Sequence, residues 1–366
     1  MSTGKKLVVE APLNNLSFGN VSVALLREFY KRGIDPIIFP IGNGIDISAQ
    51  IPDQGFNEWL QKCLNNSLAK HSRDYPALKL WHINGSMSSY SKTSSNLFTF
   101  HELDQLTPTE INALKNQDKV FVTNSFTYDV FKQYGIDNVI MVPLGFDSHN
   151  FKQLGNRPTV DGVTSFFMGG KWEPSRKRHS KILSLWAKKY GNKQGYVLNA
   201  SITNPFMKEE DLRNQIMQTL EGKQYHNINF LNWTANNAEY NSVLQGSNIV
   251  FGLSGGEGFD LVTYHATAMG AWPIALNAHA YKDYLNKDNA ILIEPSSKFP
   301  CYDGMFFHPN QPFNQGNFFD FSEEDFNAAC DKAVESVDLH GINEMGLKLQ
   351  ERTFSDAADI ILKEVL

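Results

Sequence analysis

Glu257 stands in the run "SGGEGFDL" (254–261), directly behind the apolar stretch "NIVFGL" and ahead of "DLVTYHATAMG", whose apolar spacing is helical. A glycine cluster between strand and helix lets backbone N–H groups approach an anion at the positive helix end. A carboxylate among those glycines is well placed to accept hydrogen bonds from sugar hydroxyls. The run is neither a P-loop, since G-x-x-x-x-G-K-[ST] is absent, nor the G-x-G-x-x-G dinucleotide fingerprint. The structural alternative is a tight turn that uses glycine for its own geometry.

A second cluster, "GGKWEPSRKRHSK" (169–181), also follows a β-rich run, and it brings Lys171, Arg176, Lys177 and Arg178 around the start of a helix. Fixed positive charge is what a leaving diphosphate needs while negative charge develops during C–O cleavage. A solvated basic helix start is the alternative. In the first half, Gly19 lies where the first strand meets the first helix, and His101 and Glu102 close the strand "LFTFHE", facing a cleft from the acceptor side. No triad-like or metal-ligand spacing is present.

These residues need elements to hold them. "KLVVEAP" reads as a strand, and Val21, Leu25, Leu26 and Phe29 recur at helical spacing up to Gly33, a C-cap. "PIIFP" follows as a second strand, completing a β-loop-α-β unit with the crossover that parallel strands require. Strands are expected at 78–83, 97–102, 119–124 and 138–143, with helices at "TPTEINALKN" and "SFTYDVFKQYG". Periodicity lapses from Phe151 to Val163, which marks a domain boundary, and resumes from "TSFFMGG" to "AILIEP". A looser stretch, 296–321, precedes two closing helical segments. The expected architecture is α/β, with Rossmann-like domains over 1–150 and 164–350 and a C-terminal helix, 351–366, that could cross back to the first domain. Ligands of such sheets bind outside the carboxyl ends of the strands, so the interdomain cleft is the expected site.

The stretch from Ser254 to Leu276 resembles the signature of retaining GT-B glycosyltransferases, glycosyltransferase family 4 above all. That signature is a Glu-Gly-Phe-Gly-Leu-Pro run, with a second Glu eight positions after the first and an Ala-Met-Ala-x-Gly-x-Pro stretch behind it. Glu257, Gly258, Phe259 and Leu261 match the first part, and Met269, Gly270 and Pro273 the second. Residues 101–147, 166–183 and 232–250 resemble further family segments in the same order. The "PCYDGMFF" and "FNQGNFFDF" runs and the asparagine-rich composition look like glycosyltransferases carried by phages.

The resemblance implies a GT-B fold of two facing Rossmann-like domains and a nucleotide-diphosphate sugar as co-substrate. It implies that Glu257 holds donor-sugar hydroxyls, with the backbone of Gly258, Phe259 and Leu261 against sugar and diphosphate. Lys171 then neutralises the diphosphate together with Arg176 or Lys177, Gly19 approaches it from the first domain, and His101 contacts donor sugar or acceptor beside Glu102. Glu257, Lys171 and His101 form the implied catalytic set, and removing Glu257 is expected to abolish transfer with little loss of stability. No cofactor or metal is required, because side chains and helix ends discharge the diphosphate. The sequence departs from the signature at three positions: Asp260 replaces a glycine, Val262 a proline, and His265 the glutamate that binds ribose. Asp260 beside a diphosphate would repel it unless it faces a hydroxyl or a base. His265 either bonds the ribose or is a satisfied helix histidine.

A net charge of −6 excludes a global positive field for nucleic acid or anionic membrane, though a local patch on DNA remains compatible. The resemblance implies a glycan as acceptor, and the phage-like runs add a hydroxymethylated pyrimidine of phage DNA flipped from its stack. Cys63, Cys301 and Cys330 are widely spaced, which fits a reducing compartment. With no signal-peptide pattern and no apolar run of membrane-spanning length, a cytoplasmic protein is expected, in the host cytoplasm if phage-encoded. A catalytically degenerate GT-B scaffold that binds nucleotide or glycan without transfer is the competing class. A dehydrogenase is disfavoured by the missing fingerprint after the first strand.

Overall fold

The computed structural model describes residues 6–366 except Gly155, Asn156, Trp233 and Ala235, so parts of the expected linker and of the 232–250 segment lie outside the described residues. β1 (Val8–Ala11), β2 (Ile37–Pro40), β3 (Ala77–Leu80), β4 (Ser95–Phe98), β5 (Lys119–Val122) and β6 (Val139–Met141) form a parallel sheet in the order β2-β1-β3-β4-β5-β6. Their connecting helices are α1 (Ser17–Lys31), α2 (Gln54–Ala69), α3 (Pro108–Lys115) and α4 (Ser125–Gln133). β7 (Thr164–Gly169), β8 (Tyr196–Ser201), β9 (Ile228–Phe230), β10 (Ile249–Gly252), β11 (Trp272–Leu276) and β12 (Ile291–Ile293) form a second parallel sheet, ordered β12-β11-β10-β7-β8-β9. Its helices are α5 (His179–Tyr190), α6 (Glu209–Thr219), α7 (Asn237–Gln245) and α8 (Leu261–Ala268). In the second sheet the strand order reverses between β7 and β10, and this switch point is where open α/β sheets leave a crevice. The loops carrying Lys171 and Glu257 both leave from it.

The strands read as continuous apolar runs because helices cover both faces: Phe166, Phe167, Val250, Ile274 and Ala275 are each fully buried. α2 escaped the periodic reading because asparagine and glutamine fill its outer face, although Phe56, Trp59, Leu60 and Cys63 line its buried side. Asp53 caps its start by accepting the Phe56 N–H at 3.0 Å.

α9 (Glu323–His340), α10 (Glu344–Leu347) and α11 (Phe354–Val365) close the chain. α11 lies on the first domain, where Asp359 pairs with Arg32 at 2.7 Å and Glu364 with Lys119 at 2.6 Å. The chain thus crosses between the sheets near Phe146 and again near Thr353, and the Phe146 N–H donates to the Arg352 carbonyl at 2.7 Å. The three cysteines are free and buried, and among the described residues no helix is long and apolar enough to cross a membrane.

The stretch expected to be loose contains an antiparallel hairpin, β13 (Ser297–Pro300) with β14 (Asn317–Asp320), carrying a long loop. Phe318, Phe307 and Cys301 pack with Leu103 of the first domain, so this arm is ordered by an apolar cluster that proline, glycine and asparagine obscure in the sequence. Asp104 receives Lys298 at 2.9 Å and the Asn317 N–H at 2.8 Å, and Glu110 receives the Asn314 N–H at 2.9 Å. The arm therefore bridges both domains across the front of the cleft.

Candidate active site

At the switch point the two loops are stitched together. The Gly255 N–H donates to the Arg176 carbonyl at 2.6 Å, and the Ser254 hydroxyl donates to the carbonyls of Arg176 and Gly256 at 3.2 and 3.1 Å. Two glycines are required by the approach of the other domain. A Cβ at Gly256 would lie 2.3 Å from the Glu102 carbonyl oxygen, and one at Gly258 would lie 2.7 Å from the Phe100 Cβ. The Gly258 carbonyl accepts from the Thr123 hydroxyl at 2.5 Å and the Asn124 amide at 2.7 Å. The glycine loop is thus clamped against the ends of β4 and β5.

Around this clamp the charges interlock. Arg176 Nη1 lies 3.0 Å from Glu257, 2.9 Å from Glu102 and 2.8 Å from the Gly256 carbonyl, so one guanidinium ties both domains. Lys177 Nζ lies 2.7 Å from Glu257. Glu173 folds the basic loop, accepting the N–H groups of Ser175, Arg176 and Lys177 at 2.9, 2.7 and 3.1 Å. Burial works to raise the pKa of Glu257, but Arg176 and Lys177 overcome it and hold the carboxyl at about 2. Burial pushes Glu102 up to about 7, with Arg176 opposing and Glu257 adding to the rise. Burial would likewise lower Arg176 and Lys177, yet the surrounding carboxylates keep both above their usual values, as cations.

Lys171 differs from its neighbours. Its ammonium sits 4.4 Å over the Phe306 ring and 5.4 Å from that of Phe206, with no carboxylate at ion-pair distance among the described residues. Burial, then the charge of Arg176, lowers its pKa. Arg178 points away from the site to Asp320 of the arm, at 2.6 Å.

Asp260 adopts φ 65° and caps α8, accepting the Thr263 N–H at 3.3 Å and the hydroxyls of Thr263 and Tyr281, each at 2.7 Å. Its oxygens are taken up by hydroxyls and a helix end, and its negative charge stays at the α8 N-terminus. Leu261 opens α8, and Phe259 is buried against Tyr264 and Tyr284.

His265 is 4% exposed. Its Nδ1 lies 2.7 Å from the Leu261 carbonyl, and its Nε2 accepts the Asp147 N–H at 3.2 Å. The ring packs 4.4 Å from Phe151 in the crossing segment. Burial lowers its pKa against the pull of Asp147, so a neutral imidazole with Nδ1–H satisfies both contacts. Both nitrogens serve the backbone, leaving none for a ribose hydroxyl in this arrangement. His265→Ala is expected to lower unfolding stability by about 2–3 kcal/mol, through two lost hydrogen bonds and lost packing, and to leave nucleotide affinity within about threefold. Urea unfolding and nucleotide titration check this; a large affinity loss at unchanged stability would return His265 to the ribose.

His101 lies inside the first domain. Its ring is 4% exposed and turned into its own domain, with Nε2 3.1 Å from the Gln105 carbonyl and Phe131 at 5.4 Å, and burial brings its pKa down to about 4. The chain turns sharply after β4, so Glu102 alone of the pair reaches the cleft charges. Gly19 lies in the first turn of α1, where a Cβ would meet the Asn14 carbonyl oxygen at 2.1 Å; its own turn requires glycine. Glu173, Thr123 and Asn124 were missed by sequence reasoning. The Glu-Pro-Ser turn was a signal for the first, while the other two lie at a strand end with no motif.

Two facing Rossmann-like domains with a charged switch-point cleft define the GT-B fold, and solved structures bear this out. Anabaena HepE in complex with UDP and glucose has a TM-score of 0.67 at 12% identity, covering 98% of both chains. Sucrose-phosphate synthase from Thermosynechococcus elongatus has the same values, and the catalytic domain of Arabidopsis thaliana starch synthase IV, bound to ADP and acarbose, has 0.63 at 10% identity over 99% of each chain. The sequence matches no family model and no curated protein, so the likeness is one of fold.

Proposed function

We propose that this chain transfers a sugar from a nucleotide-diphosphate sugar to a hydroxyl acceptor with retention of configuration, as a family 4-like member. The observation that carries this is Lys171: a cation without a carboxylate partner among the described residues, beside Arg176, Lys177 and the ionised Glu257 at the switch point. In this reading Glu257 accepts hydrogen bonds from donor-sugar hydroxyls, and Lys171 meets the diphosphate with help from the neighbouring cations. The anomeric C–O bond to the diphosphate breaks, and the acceptor oxygen bonds the same carbon on the same face. The acceptor's proton passes to the departing phosphate oxygen, giving a glycoside and a nucleoside diphosphate. The donor lies on the second domain, the acceptor reaches it from the first, and closure excludes water.

The test is a screen of common nucleotide sugars for thermal stabilisation and diphosphate release, repeated with glycans and with plain and hydroxymethylated DNA. Release that depends on one donor supports the reading. Lys171→Ala is expected to weaken donor affinity by about 10–100-fold with acceptor affinity unchanged; equal loss of both would count against it. One observation favours a second reading, a scaffold that binds without transfer: Asp260 closes the α8 N-terminus, where an anion could otherwise bind. Stabilisation by a donor with no hydrolysis under any condition would support that alternative.

A further inference from the structure

The first sheet has a switch point of its own, between β1 and β3, where the order β2-β1-β3 reverses. Two buried charges meet there, Glu10 of β1 and Lys79 of β3, paired at 2.9 Å. Their spare bonding capacity folds the turn that leaves β3. Glu10 accepts the Tyr90 N–H at 3.0 Å, and Lys79 donates to the Gly85 carbonyl at 3.4 Å and to the carbonyl and hydroxyl of Ser88. Gly85 is required under the Trp81 indole, since a Cβ there would stand 2.3 Å from its Cδ1. This fixed turn presents His82 at the mouth of the crevice, where it is exposed. Its ring packs 4.7 Å from Phe18 of α1 and 5.2 Å from Trp81, and Phe18 meets Phe100 at 4.7 Å. Gly258 is pressed against Phe100, so the imidazole stands two ring contacts from the loop that carries Glu257. Among the described residues neither nitrogen of His82 has a hydrogen-bond partner, unlike those of His265. Desolvation in the crevice lowers its pKa to about 4, which leaves the ring neutral, with one nitrogen free to accept a hydrogen bond at physiological pH.

We propose that His82 binds the acceptor in the first domain, its imidazole taking a hydrogen bond from a hydroxyl of a neutral saccharide seated beside Phe18 and Trp81. The charge at this end of the sheet decides the class of ligand. The turns leaving β1, β2 and β3, residues 12–16, 41–53 and 81–91, contain no lysine or arginine. Their carboxylates are Asp46, which accepts the Ser48 N–H and hydroxyl, and Asp53, which caps α2. Lys92 has already returned to the opposite end, where it pairs with Asp74 at 2.8 Å. The phosphates of a nucleic acid, whose contacts dominate its affinity, would find no cation in these turns. What the turns offer is apolar and neutral: Leu16, Met87 and Tyr90 are exposed, and so are Asn84 and Ser88. A saccharide uses both kinds of surface, packing its C–H bonds on aromatic faces and donating its hydroxyls to neutral acceptors. An acyl chain would leave the nitrogens of His82 without a partner. The acceptor role rests on the transfer reading; saccharide binding at His82 does not.

The experiment titrates the full chain, with and without UDP or ADP, against an array of neutral oligosaccharides and against a single-stranded oligonucleotide containing hydroxymethylcytosine. The wild type is expected to bind at least one neutral glycan. His82→Ala and His82→Phe should each weaken that binding by about tenfold, the scale of one hydrogen bond, while nucleotide affinity moves less than about twofold. The side chain is exposed, so both variants should fold, and His82→Phe keeps a ring against Phe18 while removing the nitrogens. Full glycan binding by His82→Phe would reduce His82 to packing and overturn the proposal. So would binding of the oligonucleotide in place of every glycan, no glycan binding by the wild type, or a parallel fall in nucleotide affinity. Glycan binding that depends on His82, with no cleavage of any nucleotide sugar, would sink the transfer reading and leave the saccharide site standing. Transfer to an acceptor indifferent to His82→Phe would keep the transfer reading and sink this one.

Discussion

Glu257→Gln is expected to lower transfer by about 10²–10³-fold, the scale seen when one preorganised polar group is removed from a reacting centre. The carboxylate is 6% exposed, fixed by Arg176 at 3.0 Å and Lys177 at 2.7 Å, and ionised throughout the physiological range. Glutamine keeps the shape and loses the second acceptor oxygen and the charge. The same packing changes the stability expectation. Sequence reasoning foresaw little loss, but Lys177 would be left buried without its anion, and breaking a buried pair costs about 3–5 kcal/mol. The folded pKa of Glu257, about 2, lies below its ordinary 4.5, so its contribution is complete above pH 4.5 and disappears as pH falls through 2. The stability gap between wild type and variant should accordingly narrow as pH falls below 4.5. Urea unfolding at pH 7 and pH 3, beside a diphosphate-release assay, measures both effects. Activity within about threefold of wild type would remove Glu257 from the reacting centre.

The sequence exposed the sheets more readily than the site. Most strands of the two sheets overlap an apolar run bounded by proline, glycine or a polar turn, because strands covered on both faces are largely apolar, and the charges that β1 and β3 do bury, Glu10 and Lys79, pair with each other at 2.9 Å. α2 and the arm were hidden for opposite reasons: one presents a polar outer face without a strong periodic signal, and the other builds its cluster from residues of two domains. In the site, Glu257, Arg176 and Lys177 were legible because glycine and basic clusters after strands have a local meaning. Their pairing with one another was not, since spacing along the chain does not reveal that the cations suited to a diphosphate already hold a carboxylate. His101 and His265 show the same limit. The sequence left both roles open for His265, and each histidine has ring nitrogens bonded to backbone groups that only the tertiary turn supplies.

Arg176→Met is expected to lower stability by about 3–5 kcal/mol, because it leaves half-buried Glu102 and buried Glu257 near each other without their shared cation. Methionine fills the volume without charge, so the loss reports the ion pairs more than a cavity. Arg176→Lys should not restore the wild type, since an ammonium is a compact point charge and cannot spread across both carboxylates and the Gly256 carbonyl as a guanidinium does. If the interdomain pair is the cause, Glu102→Gln in the Arg176→Met background should recover stability, with a coupling of about 1–3 kcal/mol in a double-mutant cycle. Additive losses would mean that Arg176 acts only through its loop. The pH dependence gives an independent check. The folded pKa of Glu102, about 7, stands above its ordinary 4.5, so the folded state binds the proton more tightly between these values. Its stabilising effect is present below pH 4.5 and is lost as pH rises through 7. Wild type minus Glu102→Gln stability should therefore fall from pH 4.5 to 7 and level off above it. In the Arg176→Met background the fall should extend to higher pH, because the cation that opposed protonation of Glu102 has gone. A fall that ends at the same pH in both backgrounds would show that Arg176 does not set the charge of Glu102, and the latch between the domains would have to be sought at Thr123 and Asn124 instead.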